Sequence, residues 1–125
     1  MATVDLKGFG HRESVDLSAS TLTASLTAHS GKVINALVTS TITLPSVATF
    51  HRYTVRVGQE GITVNISPAA LDLIGGAGAS NAGVGTDNKD VIFTNQPAGS
   101  YITLEYADAT GWAIVEALGT FTFEA

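Results

Sequence analysis

Histidines are the first residues in this sequence that could carry chemistry. They are His11, His29 and His51, and no two of them stand at the spacing of metal ligands. The chain has no cysteine, which excludes disulfides, thiolate zinc sites and cysteine nucleophiles. The sequence therefore predicts no metal site, and we expect His51 in a loop before a strand.

A second candidate is the glycine cluster Gly76-Ala77-Gly78, which follows an apolar stretch. A dinucleotide-binding turn needs a third glycine where this chain has Asn81, and it needs a helix afterwards, for which no periodicity is present. Acid–base catalysis needs carboxylates in contrasting environments, whereas Asp87 and Asp90 stand among polar residues and are expected to be solvated. No serine occupies a G-x-S-x-G turn. The sequence therefore predicts a protein that is not an enzyme and has no cofactor.

Trp112 is the single tryptophan and follows a glycine-containing turn. An aromatic ring at the mouth of a β-domain can be a platform for a sugar. The alternative, which the sequence favours, is a core or rim aromatic beside Ile114.

Charge restricts the partners. The 125 residues, enough for one domain, include six basic and eleven acidic residues, for a net charge of −5. Such a chain is poorly suited to nucleic acid or anionic lipid, and its apolar runs are too short to span a bilayer. The segment Met1–Gly10 lacks the basic start and apolar stretch of a secretory signal. We expect neither nucleic acid nor a membrane as a partner.

The elements that must position these residues are strands, because apolar and polar residues alternate along most of the chain. The alternating segments are residues 21–27, 41–44, 53–57, 62–67, 101–106 and 120–124. Turn residues recur between them, and both Gly58–Gly61 and Asp108–Gly111 are interpreted as hairpin loops. The pattern predicts an all-β fold, an antiparallel, jelly-roll-like β-sandwich of eight to ten strands, with no internal repeat.

Two regions interrupt this pattern and divide the chain. Residues 1–20 are predicted to form an N-terminal arm, and residues 21–125 the β-sandwich, with a long glycine-rich loop at residues 75–90. The stretch Val33–Val38 is apolar on both faces. It is either a central strand or a contact between protomers, and the sequence does not decide between them.

The order of the strand motifs resembles a β-sandwich module of tailed-bacteriophage virion proteins, found in capsid decoration (cement) proteins and in tail-fibre and spike heads. The resemblance covers residues 32–121, and its most specific part is the closing Gly-Trp strand, although Phe121 stands where tryptophan is frequent. The motifs are I-T-L-P (42–45), Y-T-V-R-V-G (53–58), G-I-T-V-N-I-S-P (61–68), D-L-I-G-G (72–76), S-Y-I-T-L-E-Y (100–106) and G-W-A-I-V-E-A-L-G-T-F (111–121).

The resemblance implies a structural protein without catalytic residues, often a homotrimer on a larger assembly. With Met1 at its start and no shaft, the chain is expected to be a decoration protein that binds the major capsid protein on the outer surface of a phage head and stabilises the shell. The alternative is a receptor- or carbohydrate-binding head of a tail fibre or spike, with Tyr53, Tyr101 and Trp112 as platform aromatics.

Contacts with the capsid or with other protomers are predicted in the irregular regions and in the doubly apolar strand. An arm that becomes ordered on binding covers a large surface for a small domain. Low charge on the threonine-rich strand faces also suits a protomer contact. The residues predicted for these interfaces are Val4, Leu6, Phe9, Val33, Leu37, Asn81 and Asp87.

Overall fold

The structure, a computed structural model, describes residues 13–25, 28–46, 51–69, 72–75, 90–108 and 111–124. These residues form eleven strands. In chain order the strands are β1 Ser14–Leu17, β2 Thr21–Thr23, β3 Val33–Ala36, β4 Ser40–Thr43, β5 Arg52–Val57, β6 Thr63–Ser67, β7 Leu73–Ile74, β8 Val91–Thr94, β9 Tyr101–Asp108, β10 Gly111–Leu118 and β11 Thr122–Phe123.

The strands form two sheets, which confirms the predicted all-β sandwich. The first sheet has the order β1-β3-β5-β9-β10-β7, and the second has the order β11-β8-β6-β4-β2. Each alternating segment of the sequence coincides with at least one strand, because β-branched and aromatic residues with period two suit a half-buried pleated surface. Over the described residues, no helix has the length and apolar character needed to cross a membrane.

The first six strands form three stacked coils. Each coil contributes one strand to the first sheet and the next strand to the second, so that β1, β3 and β5 are parallel neighbours, as are β2, β4 and β6. Aligned residues in successive coils are 19 to 24 positions apart, as with Ser14, Val33 and Thr54 in one sheet and Thr21, Thr41 and Asn65 in the other. The fold thus contains a structural repeat that the sequence does not reveal.

The strand directions differ from the expected antiparallel arrangement. Five of the nine strand pairings are parallel and four are antiparallel, the antiparallel ones being β5–β9, β9–β10, β6–β8 and β8–β11. Alternation predicts which residues face the core but not which strand lies alongside, so the same pattern fits both directions. The prediction of antiparallel pairing is wrong for the three coils and for β7–β10, and correct for the four pairings made by β8 and β9.

The connection Gly58–Gly61 shows this difference most clearly. It is not a hairpin loop, because β5 belongs to the first sheet and β6 to the second. Gly58 donates its N–H to the Ala36 carbonyl at 2.7 Å, and a Cβ at this position would lie 2.7 Å from that oxygen. The connection is therefore an arch stacked on the preceding coil. Asp108–Gly111 does join an antiparallel pair, β9 and β10, as predicted.

The core lies between the sheets and is filled by the inward residues of nearly every strand. Ile34, Val55 and Ile102 are aligned across the first sheet and fully buried. Tyr53 and Trp112 pack edge to face, with ring centroids 5.5 Å apart, and the Tyr53 hydroxyl donates to the Ser25 carbonyl at 3.2 Å. The expectation that Trp112 is a core aromatic is confirmed.

Strand β1 lies within the sandwich, paired along its length with β3. The described part of the predicted arm, residues 13–20, therefore belongs to the fold.

Strand β3 lies between β1 and β5, and Val33 is fully buried within the single chain. This favours the central-strand interpretation of Val33–Val38. Leu37 lies in the arch after β3, half-buried, with its N–H bonded to the Leu17 carbonyl at 2.9 Å.

Replacing Gly58 with alanine tests the stacked arch. We expect Gly58→Ala to lower the free energy of unfolding by about 1–3 kcal/mol, the usual cost of overpacking, because the added carbon meets backbone that must move. Urea denaturation measures this loss. Gln59→Ala, at the exposed neighbouring position, is the control and should change stability by less than about 0.5 kcal/mol. Equal stabilities of the two variants would contradict the arch.

Candidate functional site

The outer face of the first sheet carries charges that are paired within the chain. Lys32 and Glu13 form an ion pair at 3.4 Å. The Arg52 guanidinium donates to the Glu105 carboxylate through both Nε, at 2.8 Å, and Nη2. These pairs lie at the surface, where each contributes at most about 1 kcal/mol. They flank a row of outward residues, Val33, Thr54 and Thr103, that is fully buried.

A row of polar side chains continues across the same face. Asp16, Asn35 and Arg56 are aligned in register on β1, β3 and β5. The Asn35 amide donates to Asp16 Oδ1 at 3.1 Å, and Arg56 Nη1 donates to Asn35 Oδ1 at 2.7 Å. Asn35 thus links a carboxylate to a guanidinium, so the three coils are joined by side chains as well as by backbone.

The outer face of the second sheet is different. Its strands direct ten residues outward, and none of the ten is charged. Four of them are exposed and six are half-buried, so all ten reach the surface. We call this surface the threonine face. Its residues are Thr21, Thr23, Thr41, Thr43, Thr63, Asn65, Ser67, Ile92, Thr94 and Thr122.

The threonine face is ordered by the coil register. Thr21 aligns with Thr41 and then with Asn65, while Thr23 aligns with Thr43 and then with Ser67. Two hydroxyl- or amide-bearing rows therefore run across β2, β4 and β6, about 4.8 Å apart from strand to strand. A periodic polar surface without charge can be covered by another protein at a lower desolvation cost than a charged one.

A pair of carboxylates lies at one corner of this face. Asp90 and Glu124 contact each other through backbone: the Asp90 N–H donates to Glu124 Oε1 at 3.1 Å, and the Glu124 N–H donates to the Asp90 carbonyl at 2.9 Å. Burial raises the pKa of Asp90, the charge of Glu124 raises it further, and a hydrogen bond from Ser67 opposes both. Negative charge is thus confined to the edge of the threonine face.

A second distinctive surface is the open edge of β10. Strand β7 pairs with β10 at Gly111 and Trp112 alone. From Ala113 to Leu118, no strand among the described residues lies on the side of β10 opposite β9. We call this stretch, Ala113–Leu118, the β10 edge. Its Val115 and Leu118 side chains are 47% and 58% exposed.

The two described histidines bond to serines. His29 Nδ1 accepts the Ser25 N–H at 2.9 Å, and His51 Nδ1 lies 2.8 Å from Ser30 Oγ. In the part of the chain that the structure describes, no three histidine or carboxylate groups converge as metal ligands. Burial lowers the pKa of His29, and the charge of Lys32 lowers it further.

The predicted interface residues are not brought together by the described structure. Val33 is in the sheet and Leu37 in an arch, whereas Val4, Leu6, Phe9, Asn81 and Asp87 lie outside the described residues. The alternative function predicted that Tyr53, Tyr101 and Trp112 form an exposed aromatic platform. This is wrong for Tyr53 and Trp112, which are buried and pack against each other. Tyr101 is half-buried.

The sequence indicated that threonine-rich strand faces are low in charge, but it did not show that they form one surface, and it gave no sign of the β10 edge. The paired T-x-T segments at 21–23 and 41–43 are a visible signal for the first, but their alignment requires the coil register. No protein-family model, curated protein or solved structure matches the chain. The two surfaces are therefore interpreted from their own geometry.

The His29 hydrogen bond predicts a pH dependence of stability. Burial and the charge of Lys32 lower the pKa of His29 below its usual 6.5, and the hydrogen bond that Nδ1 accepts from the Ser25 N–H also requires the neutral imidazole. Below about pH 6.5 the unfolded chain therefore binds more protons at this residue, so stability declines as the pH falls through that value. Denaturation at pH 7.5 and pH 5.5 measures the decline.

Two variants identify the group responsible. His29→Gln should lose the decline, whereas His51→Gln, in which the Ser25–His29 bond is intact, should retain it. A decline of the same size in His29→Gln would assign it to another residue.

Proposed function

We propose that this protein is a non-enzymatic structural component of a virion, a decoration (cement) protein that binds the major capsid protein on the outer surface of a phage head and acts as a homotrimer. The resemblance of the strand motifs supports this role. The structural observation that carries it is the threonine face, whose outward strand residues are uncharged, whereas both ion pairs of the described residues lie on the first sheet.

Protein interfaces are depleted of charge at their centres, which is the property that separates the two faces of this sandwich. On the first sheet, a docked partner would displace water from the ion pairs and from the Asp16–Asn35–Arg56 row. On the second sheet it would cover hydroxyl and methyl groups. We therefore assign the capsid contact to the threonine face.

The small size of this face supports the trimer in this proposal. Five strands about 4.8 Å apart span about 19 Å, and three residues along a strand span about 10 Å. A surface of that size is well below the roughly 800 Å² that each partner buries in a stable complex. Three such faces on one rigid unit bind with avidity, because the second and third contacts form at a high effective concentration.

Stabilisation of the shell follows from mass action. A ligand that binds the assembled shell but not free subunits stabilises the shell by about 2.7 kcal/mol per site when its concentration is about 100 times Kd. Because a shell repeats its subunits many times, modest binding at every site adds up to a large resistance to disassembly. No reaction is needed for this role.

The number of copies in purified particles tests the proposal. We expect quantitative mass spectrometry to find on the order of hundreds of copies per particle, because the subunits of a symmetric shell present the same site many times. We also expect particles stripped of the protein to disassemble at a lower temperature and to recover when it is added back. A few to a few dozen copies would instead indicate a tail appendage and overturn the proposal.

Charge placed on the threonine face tests the docking surface. Thr21→Lys combined with Thr23→Lys puts two exposed ammonium groups on the proposed contact, where their desolvation is unfavourable. We expect binding to stripped shells in a sedimentation assay to weaken at least about tenfold, which corresponds to about 1.4 kcal/mol.

The matched control is Ser14→Lys, at an exposed position on the outer face of the first sheet. It should bind as the parent chain does, and all variants should unfold at similar urea concentrations. If the double variant binds normally, the contact lies elsewhere on the molecule.

A further inference from the structure

Asn65 differs from the other nine residues of the threonine face. It is the only one that carries an amide, and its Oδ1 is buried without a hydrogen-bond partner. Among the described residues, two other buried side-chain atoms share this condition, Ser40 Oγ and Trp112 Nε1, and both belong to residues buried on the inner side of the sheets. Asn65 is therefore the one residue of the described chain that brings such a group to an outer face.

Asn65 lies at the centre of the threonine face in both directions. Its strand, β6, is the third of the five strands in the sheet. Along β6, Asn65 lies between Thr63 and Ser67. Residues that dominate binding energy cluster near the centre of an interface. Asn65 is also the middle member of a row of aligned outward residues that crosses all five strands, namely Thr21, Thr41, Asn65, Ile92 and Thr122.

The buried oxygen has a cost that the described fold does not offset. A buried carbonyl oxygen loses its hydrogen bond to water, and the chain is less stable unless another donor replaces that bond. The hydroxyls of Thr41, Thr63 and Ser67 belong to its neighbours in register, and none of them bonds to it. Asparagine also favours strands less than threonine does, and threonine occupies the aligned position in both preceding coils. Folding alone therefore does not explain an asparagine at this position.

The chemistry of the amide indicates which group would complete it. An asparagine side chain presents a carbonyl oxygen that accepts a hydrogen bond beside an NH2 group that donates one. A residue in an extended backbone offers the complement, an N–H and a C=O that point to the same side of the strand. The torsion that orients an asparagine amide is broad, so the oxygen can turn toward a donor that arrives from outside. Asn65 is only half-buried, so its amide is within reach of a docked partner.

The surroundings of Asn65 favour an uncharged partner group. Its neighbours in the row are Thr41 and Ile92, on β4 and β8, and neither carries a charge. A lysine or arginine of a partner would lose its water here with no carboxylate in the row to replace it. The carboxyl of Asp90 meets this face in the next row, where it bonds to Ser67. An extended backbone carries no charge and avoids that loss.

We infer that Asn65 is the specificity-determining residue of the threonine face, and that its amide pairs with the N–H and C=O of an extended backbone segment of the capsid protein. This inference rests on the proposed docking of that face and names the contact at its centre. The pairing supplies a donor to an oxygen that has none in the free chain. The surrounding threonines exclude water from the contact, which is the role of weakly contributing residues around a binding hot spot.

The variant Asn65→Thr separates the role of this residue from that of the face as a whole. Threonine keeps the surface polar and uncharged, extends the threonine row and removes the unpartnered oxygen. We expect a urea midpoint equal to or above that of the parent chain, because threonine suits a strand better than asparagine. We expect binding to stripped shells in the sedimentation assay to weaken at least about tenfold, because the partner's backbone groups lose their hydrogen bonds.

Ser40→Ala is the matched control, because it removes the other unpartnered oxygen, on the inner side of the same sheet. It should bind shells as the parent chain does. Asn65→Asp tests the charge of the partner group, since it keeps an oxygen acceptor of the same shape but loses the donor. It should weaken binding at least as much as Asn65→Thr. Tighter binding of Asn65→Asp would show a cationic partner group and overturn the backbone contact.

The double variant Thr21→Lys/Thr23→Lys separates failure of this inference from failure of the proposed docking. Loss of binding in that variant with normal binding of Asn65→Thr would retain the docking surface and overturn the role of Asn65. Normal binding of both would overturn the docking surface itself. A lower urea midpoint of Asn65→Thr, together with weaker binding, would assign Asn65 to the fold and also overturn the inference.

Discussion

The backbone ladders that hold the three coils in register determine where every other feature lies. Because β1, β3 and β5 are aligned in one sheet and β2, β4 and β6 in the other, each residue of a coil stacks on its counterpart in the next. The apolar residues of successive coils therefore stack into one core, and their polar residues stack into the outer face of each sheet. A one-residue slip in any coil would turn its apolar residues to solvent, so the register is strongly specified.

The two outer faces differ because the coils place different residues in the same geometry. On the first sheet the aligned residues are Asp16, Asn35 and Arg56, whose complementary groups bond to each other. On the second sheet the aligned residues are Thr21, Thr41 and Asn65 in one row and Thr23, Thr43 and Ser67 in the next, and the carboxyl of Asp90 meets this face only at Ser67. The sandwich therefore has one outer face with charged groups that bond to each other and another whose strand residues are uncharged.

The sequence was sufficient for the strands and their core faces, because period two and β-branched residues are local signals. It was insufficient for pairing: Gly58–Gly61 has the length and glycines of a hairpin, and only the close approach of Gly58 to Ala36 shows that it is an arch. The repeat is not visible in the sequence, because aligned residues of successive coils are 19 to 24 positions apart and the coils share only an alternation that most strands have. Trp112 was correctly predicted as a core residue, whereas the β10 edge cannot be predicted from a strand pattern, because an open edge depends on which strands are neighbours.

A stack of parallel coils always ends in strands with an unpaired edge. In this sandwich the first coil ends in β1 and β2, whereas the third coil is followed by further strands. Strands β8 and β9 return antiparallel beside β6 and β5 and so cover the third coil, whereas β10 extends beyond the two residues that β7 pairs with and has no further neighbour on that side among the described residues. If that edge paired with itself, the product would be a dimer; if it pairs with a segment from the opposite end of the sheet, the contact is head to tail. A head-to-tail contact that fails to close leaves one edge open at every length and grows into filaments. Closure into a ring uses every edge, and the exposed Val115 and Leu118 are the apolar side chains that such a contact would cover.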